Sequence, residues 1–460
     1  MTLIKSISGI RGTIGGLPGD NLTPIDVVKF TAAFATTIQE VYPGKRLHFI
    51  VGRDARISGE MVEQLVCATL SGMGIDVINT GLSTTPTVEM AVVQLKAHAG
   101  IILTASHNPK QWNALKLLNA KGEFISAAEG ARVLDLAERE AFSFADVDEL
   151  GTIKVDNSTI EQHIKSILAL PLVDVDMIKQ ANFKVAVDGV NSTGGIAIPQ
   201  LLKALGVNDV VELYCEPTGQ FPHNPEPLPE NLTVISQTVI DQKADLGVVV
   251  DPDVDRLALV MEDGQMFGEE YTLVAVADYI LQNTKGNTVS NLSSTKALRD
   301  VTEKAGGTYQ ASAVGEVNVV EKMKEVNAVI GGEGNGGVIY PELHYGRDSL
   351  VGVALILTYL AKTKQSLSQL RATYPNYFVS KNKVQLTPET DVMGLYQKIQ
   401  DKYQHLPILT IDGVKVEFPD GWVHLRTSNT EPIMRVYAEA PSIEKAQAYA
   451  DEVMLVIQNA

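Results

Sequence analysis

The sequence predicts an α/β protein made of three successive α/β units and a smaller C-terminal α+β domain. Two observations carry the first part: short β-branched runs alternate with helical stretches up to about residue 370, and the cycle restarts near 183 and near 286. Such alternation implies mixed, mostly parallel sheets with right-handed crossovers. The third observation is a change of pattern from about Tyr377 to strand, helix, several strands and helix, as expected of a small antiparallel sheet with helices.

Taken in order, the first unit opens with a strand over 47–52, a helix over 58–73, a strand over 76–79, a Gly/Pro/Thr loop over 81–86, and a helix over 87–96. It then runs through Gly100-Ile101-Ile102-Leu103-Thr104-Ala105 to Ser106. The second unit restarts over 183–188 and passes through Asn191-Ser192-Thr193-Gly194-Gly195 into a helix over 196–205. The third has a strand over 286–290, a helix over 295–305 and a strand over 328–332. The tail reads as strand 379–386, helix 391–404, strands 408–417, 422–426 and 433–440, and helix 442–458. Boundaries near 145–155, 256–265 and 370–378 divide the chain into domains 1–150, 151–256, 257–372 and 373–460.

Composition narrows the function. At 460 residues, 45% apolar and 20% charged, the chain is long enough for several cores. No stretch approaches the roughly 20 apolar residues of a membrane helix, and Met1-Thr2-Leu3-Ile4-Lys5-Ser6 lacks the start of a secretory signal. Only Cys67 and Cys215 occur, so no disulfide framework or cysteine zinc site is expected, and the cytoplasm is the expected compartment. A net charge of −17 argues against a nucleic-acid partner. Against it, Arg11, Arg53, Arg256, Arg426 and Arg435 stand out as local anion contacts.

Four loops stand out: three follow apolar runs, and of these the Ser106 and aspartate loops lie at strand ends where an open parallel sheet binds its ligands, while the fourth lies in the C-terminal tail. Ser106 opens the turn His107-Asn108-Pro109; a serine there serves either as a presented nucleophile or as a turn-organising cap. Leu246-Gly247-Val248-Val249-Val250 delivers Asp251, Asp253 and Asp255. In an extended segment the i, i+2, i+4 spacing would aim all three the same way, as hard oxygen ligands that suit magnesium; carboxylates around a turn are the alternative. A metal beside a nucleophilic or phosphorylated serine is the leading expectation. Gly332-Glu333-Gly334-Asn335-Gly336-Gly337 offers a carboxylate and a carboxamide to sugar hydroxyls, or is a plain glycine turn. Arg426-Thr427-Ser428-Asn429-Thr430-Glu431-Pro432, with Arg435 beyond it, would clamp a phosphate, or is a solvated hairpin.

In that order, and with Gly9-Ile10-Arg11-Gly12 and Gly52-Arg53-Asp54 before them, these motifs resemble the α-D-phosphohexomutase superfamily over essentially the whole chain. The sugar loop and the ending Arg435-Val436-Tyr437-Ala438-Glu439-Ala440 look closest to its phosphoglucosamine mutase group. The resemblance implies four domains around a central cleft, each giving one loop. It implies Ser106 as a phosphoserine, with Asp251, Asp253 and Asp255 holding one Mg2+ together with its phosphate. Glu333 and Asn335 would contact sugar hydroxyls; Arg426, Ser428, Asn429, Thr430 and Arg435 would grip the non-reacting phosphate. Arg11, His107, Lys116 and Arg256 would line the reacting side, with Lys116 the first candidate for general acid/base.

The expected activity is interconversion of glucosamine 6-phosphate and glucosamine 1-phosphate by a cytoplasmic monomer or homodimer, with a sugar bisphosphate as activator. Mannose or glucose phosphates with the same chemistry, a silent phosphosugar-binding protein and a phosphatase are the competing expectations. Two departures qualify the resemblance. Many relatives end the sugar loop in histidine where this chain has Gly337, so that residue's role does not carry over. Val314-Gly315-Glu316-Val317 lacks the histidine some relatives carry there, leaving Glu316 either to pair with an amino-sugar ammonium or simply to start a helix.

Overall fold

The computed structural model describes residues 2–6, 9–387, 389–428 and 433–458. The first sheet contains β1 (Ile4–Ser6), β2 (Gly9–Thr13), β3 (His48–Arg53), β4 (Asp76–Leu82), β5 (Ala99–Leu103), β6 (Trp112–Leu118) and β7 (Ile153–Val155), in spatial order β1-β2-β6-β5-β3-β4-β7. Its β3, β4, β5 and β7 pair in parallel, as alternation with helices requires. The strand β6 runs antiparallel to β5, with Lys116 opposite Ile102, and β2 runs antiparallel to β6. Sequence reading did not anticipate β6: after the turn at Pro109, Trp112 to Leu118 returns directly alongside the strand that delivers Ser106. A core of Phe34, Phe49, Val51, Leu70, Ile101 and Leu103 closes one face of this sheet.

The second sheet holds β8 (Lys184–Asp188), β9 (Asp209–Leu213), β10 (Leu246–Val250) and β11 (Leu257–Met261), in order β11-β10-β8-β9. Only the β10/β11 pair is antiparallel. Every residue of β10 and β11 is buried, which explains why both read as continuous apolar runs. The third sheet has β12 (Asn287–Asn291), β13 (Tyr309–Ser312) and β14 (Ala328–Glu333), with β12 parallel to both neighbours. The short β15 (Gly337–Ile339) follows the glycine turn and leads to the buried helix Ser349–Thr363.

The last sheet is antiparallel throughout: β16 (Phe378–Gln385), β17 (Ile408–Leu409), β18 (Val414–Phe418), β19 (Gly421–Thr427) and β20 (Ile433–Ala440), ordered β16-β20-β19-β18-β17. The single strand expected over 408–417 is instead a hairpin. Gly413 supplies its turn at φ +67, where a Cβ would meet the Leu425 carbonyl oxygen at 2.0 Å.

The chain forms two compact units: Met1–Thr272 with Gly336–Gln369, and Leu273–Asn335 with Leu370–Ala460. In the second, several ties join the loop after β12 and the helix Ala297–Lys304 to the last sheet. The Lys415 ammonium donates to the Leu292 carbonyl (2.8 Å), Lys296 N–H to Glu439 (2.8 Å), and Arg299 pairs with Glu417.

Candidate active site

Ser106 stands one turn beyond β5 in a strained conformation. Its φ is +49, in the left-handed region that non-glycine residues seldom occupy. A buried scaffold enforces it. Asp54, just past β3, accepts from the Thr104 hydroxyl (2.7 Å) and from Arg56 Nε (3.0 Å). Arg56, only 1% exposed, spends its remaining donors on the carbonyls of Ser106, Asn108 (2.7 Å), Pro109 (2.8 Å) and Trp112 (3.0 Å). Burial pushes the Asp54 carboxyl upward, while the Arg56 guanidinium pulls it back. Sequence reading singled out Arg53 and Asp54 but missed Arg56, whose only sequence signal is a second arginine three residues after the first.

The Ser106 hydroxyl donates to Asp251 Oδ2 at 2.7 Å. Asp251, Asp253 and Asp255 are all fully buried and bring their ligand oxygens within 4.8 Å of one another. They do not converge by alternation along an extended segment, as the spacing suggested. The chain turns there: Val254 N–H closes onto the Asp251 carbonyl (3.1 Å), and Val254 sits at φ +65, an unusual value for a β-branched residue. The Ser192 and Thr193 hydroxyls brace the turn by donating to the Pro252 carbonyl at 2.7 and 2.9 Å.

Asp251 has both oxygens engaged, whereas Asp253 and Asp255 each have one engaged and one without a partner. Asp251 Oδ1 accepts the N–H groups of Asp255 and Arg256, both at 3.2 Å. Asp253 Oδ2 takes the Thr85 hydroxyl (2.5 Å) and the Lys116 ammonium (2.7 Å). Asp255 Oδ2 takes Arg347 (2.6 Å) and Lys116 (3.4 Å). The Oδ1 atoms of Asp253 and Asp255 are buried with no hydrogen-bond partner. Orphaned carboxylate oxygens are costly, and a hard divalent cation fits this donor set. Burial, then Asp253 and Asp255, push Asp251 well above the usual carboxylate range. Burial also works to raise Asp253, but Lys116 and Thr85 hold it below that range.

The cations expected on the reacting side gather in the same unit. Lys116 is 8% exposed, so it is not a surface lysine; burial works to lower its pKa, and Asp253 and Asp255 more than offset this. His107 Nδ1 lies 3.5 Å from Ser106 Oγ, and burial followed by Arg256 and Arg11 drives it well below 6.5, so the imidazole is neutral near pH 7. Arg11, on β2, is pulled down by burial and by Arg256. Arg256 reaches Glu226 at 3.6 Å.

Residues 3–144, 161–264 and 268–377 match phosphoglucomutase/phosphomannomutase alpha/beta/alpha domains I, II and III, and 382–456 match the C-terminal domain of the same family. The chain belongs to the phosphoglucomutase/phosphomannomutase family. A Thermococcus kodakarensis "phosphoglucomutase/phosphomannomutase" is 35% identical over 446 residues, 96% of each chain. A "phosphoglucosamine/phosphogalactosamine mutase" of Sulfurisphaera tokodaii is 31% identical over 460 residues, 98% of each. A crystal structure of a phosphoglucomutase/phosphomannomutase family protein from Burkholderia thailandensis superposes with a TM-score of 0.85 at 26% identity, covering 100% of this chain and 98% of the other.

Glu333 and Asn335, expected to meet sugar hydroxyls, and Arg426 and Arg435, expected to grip a phosphate, lie in the second unit of this phosphohexomutase. Glu333 ends β14, 6% exposed, and its Oε1 accepts from Asn291 Nδ2 (2.9 Å) and Gly315 N–H (3.3 Å). Ser294 accepts the next backbone N–H, from Gly334, at 3.0 Å. Asn335 closes the same loop, and Glu316 starts the helix Glu316–Glu325. On the last sheet, Arg426 and Arg435 lie directly opposite across β19 and β20. Like charges so placed repel unless an anion sits between them. Ser428 N–H donates to the Ile433 carbonyl at 2.9 Å; Asn429 and Thr430 lie outside the described residues. The loop after β12 ties both features together, since Ser293 Oγ bonds His424 Nδ1 at 2.9 Å, two residues before Arg426. Among the described residues, no helix is long and apolar enough to cross a membrane.

Proposed function

We propose that the chain interconverts glucosamine 6-phosphate and glucosamine 1-phosphate through a phosphorylated Ser106 and a bisphosphorylated sugar. The observation that carries the chemistry is the Ser106 hydroxyl on Asp251, inside a buried carboxylate set with two unpartnered oxygens. Asp251, Asp253 and Asp255 would hold Mg2+, which supplies charge neutralisation for the transferring phosphoryl group. Ser106 gives its phosphoryl group to a free sugar hydroxyl: the Oγ–P bond breaks and the sugar O–P bond forms. The hydroxyl proton passes to Lys116 in its neutral amine form, which neutralisation of Asp253 and Asp255 by Mg2+ would favour, and the serine oxygen is left as the anion that later accepts the second phosphoryl group. After the bisphosphate turns round, Ser106 takes back the other phosphoryl group, and the Lys116 ammonium returns a proton to the released sugar oxygen. Arg11, His107 and Arg256 position the reacting phosphate. Arg426 and Arg435, with Ser428, Asn429 and Thr430, grip the other one, while Glu333 and Asn335 bind hydroxyls. A sugar bisphosphate would restore phosphoserine that has been lost.

The glucosamine assignment rests on the name of the Sulfurisphaera relative and on the buried Glu316 beside Gly315, suited to an ammonium. The Thermococcus relative, whose printed name includes glucose and mannose activities, favours those sugars as the second reading. Cys67 and Cys215 are unbridged, in keeping with a cytoplasmic enzyme. The test is the initial rate on the 1-phosphates of glucosamine, glucose and mannose, with Mg2+ and catalytic sugar bisphosphate. A glucosamine preference that Ser106→Ala abolishes supports the proposal. A glucose or mannose preference overturns the substrate and keeps the chemistry; absence of turnover with phosphorylated protein overturns both.

A further inference from the structure

The sugar loop has no side chain at Gly337, yet the chain brings a cation to the metal-loop carboxylates ten residues later. Arg347 precedes the helix Ser349–Thr363, is 8% exposed, and donates from Nη2 to Asp255 Oδ2 at 2.6 Å. The segment carrying it is fixed from three directions. Asp348 caps the helix through Oδ1, accepting from Leu350 N–H (2.8 Å) and Val351 N–H (3.3 Å). Its Oδ2 takes His163 Nε2 (2.9 Å) and His344 Nε2 (3.3 Å). Ser349 N–H donates to the carbonyl of Val254, the strained residue of the metal loop, at 3.3 Å.

Orientation of Asp255 depends on this arrangement. The two oxygens of a carboxylate are equivalent until the surroundings distinguish them. Here Oδ2 has Arg347 at close range and Lys116 at 3.4 Å, while Oδ1 has no partner. Asp253 is distinguished separately, by Thr85 and Lys116. Without Arg347, Asp255 keeps one long contact and is free to rotate. We propose that Arg347 is a positioning residue of the mutase site: it holds Asp255 Oδ2 so that Oδ1 is presented to a divalent cation. This rests on the reading of the aspartates as the Mg2+ site. Groups that orient metal ligands commonly change affinity by about 10–100-fold when removed.

The experiment is Mg2+ titration of the unphosphorylated full chain, followed by thermal shift without substrate, for wild type, Arg347→Gln and Arg347→Lys. The Mg2+ concentration giving half the shift should rise about tenfold or more in R347Q and by less in R347K, because lysine keeps the charge but not the fork. The sugar-phosphate KM should stay within about twofold in both variants while kcat falls. If R347Q does not fold, R347K decides. An unchanged Mg2+ midpoint in the folded variant, with melting lowered equally with and without Mg2+, overturns the proposal and leaves the aspartate site standing. A wild-type protein that does not respond to Mg2+ overturns both.

Discussion

Ser106 Oγ and Asp251 Oδ2 lie 2.7 Å apart, although 145 residues separate them in the chain. The hydroxyl comes from the end of β5 in one sheet and the carboxylate from the end of β10 in another, so two C-terminal strand ends meet at one point. The contact puts the expected phosphoryl acceptor against the expected metal ligands before any substrate is present.

Replacing Ser106 with alanine removes the acceptor and nothing that holds the loop, because Arg56 grips backbone carbonyls. Mutase turnover should fall at least about a thousandfold, on the order of 4 kcal/mol. Peptide mass spectrometry should find a phosphoryl group on this serine in wild type and none on the variant's peptide. Persistent turnover in Ser106→Ala would assign the chemistry to another group.

Arg56 should matter for stability as well as activity. Its side chain and that of Asp54 are completely buried, so Arg56→Ala leaves the Asp54 carboxylate without its cation and several carbonyls without their guanidinium donor. Losing one partner of a buried pair costs about 3–5 kcal/mol. Urea unfolding should show a loss of that size. A loss under about 1 kcal/mol would mean that water replaces the guanidinium without cost.

The opposed arginines give a different signature. If Arg426 and Arg435 bind the phosphate that does not react, Arg426→Ala removes binding shared by ground and transition states. KM for the sugar phosphate should then rise about 10–100-fold, with kcat changed far less, as suits a charge-assisted bond of about 1.5–3 kcal/mol. A fall in kcat at constant KM would place Arg426 on the reacting side instead.

Acid should weaken the second unit through His424. Burial holds its pKa down at about 4, with Nε2 donating to the Asp412 carbonyl at 2.7 Å. The unfolded chain protonates near pH 6.5 and the folded one near pH 4, so this contribution is fully present above 6.5 and declines as pH falls towards 4. The full loss is about 3 kcal/mol. Urea unfolding at pH 7.5 and pH 4.5 should show a smaller drop for His424→Asn than for wild type. Equal drops would rule out this histidine as the source.

Strand and helix alternation, the antiparallel tail and the positions of the four loops were all legible in the sequence, because periodicity and strand-end punctuation are local. So were Ser106 and the aspartates, since strands carry them to their own ends. Lys116 was legible as a candidate, but β6 was not, because its pairing with β5 depends on a turn that local pattern does not specify. The convergence of the carboxylates was expected for the wrong local reason: a turn through Val254, not alternation, brings them together. Arg56, Thr85 and Arg347 were not singled out as site residues, although Thr85 lies in the Gly/Pro/Thr loop over 81–86. What singles them out is burial against a particular carboxylate or carbonyl, which exists only once distant strands and helices are packed. The sequence by itself determined which chemistry the strand ends carry. The tertiary structure alone decided which oxygen of Asp253 and of Asp255 is engaged and which is left open, because that depends on donors arriving from 92 to 168 residues away.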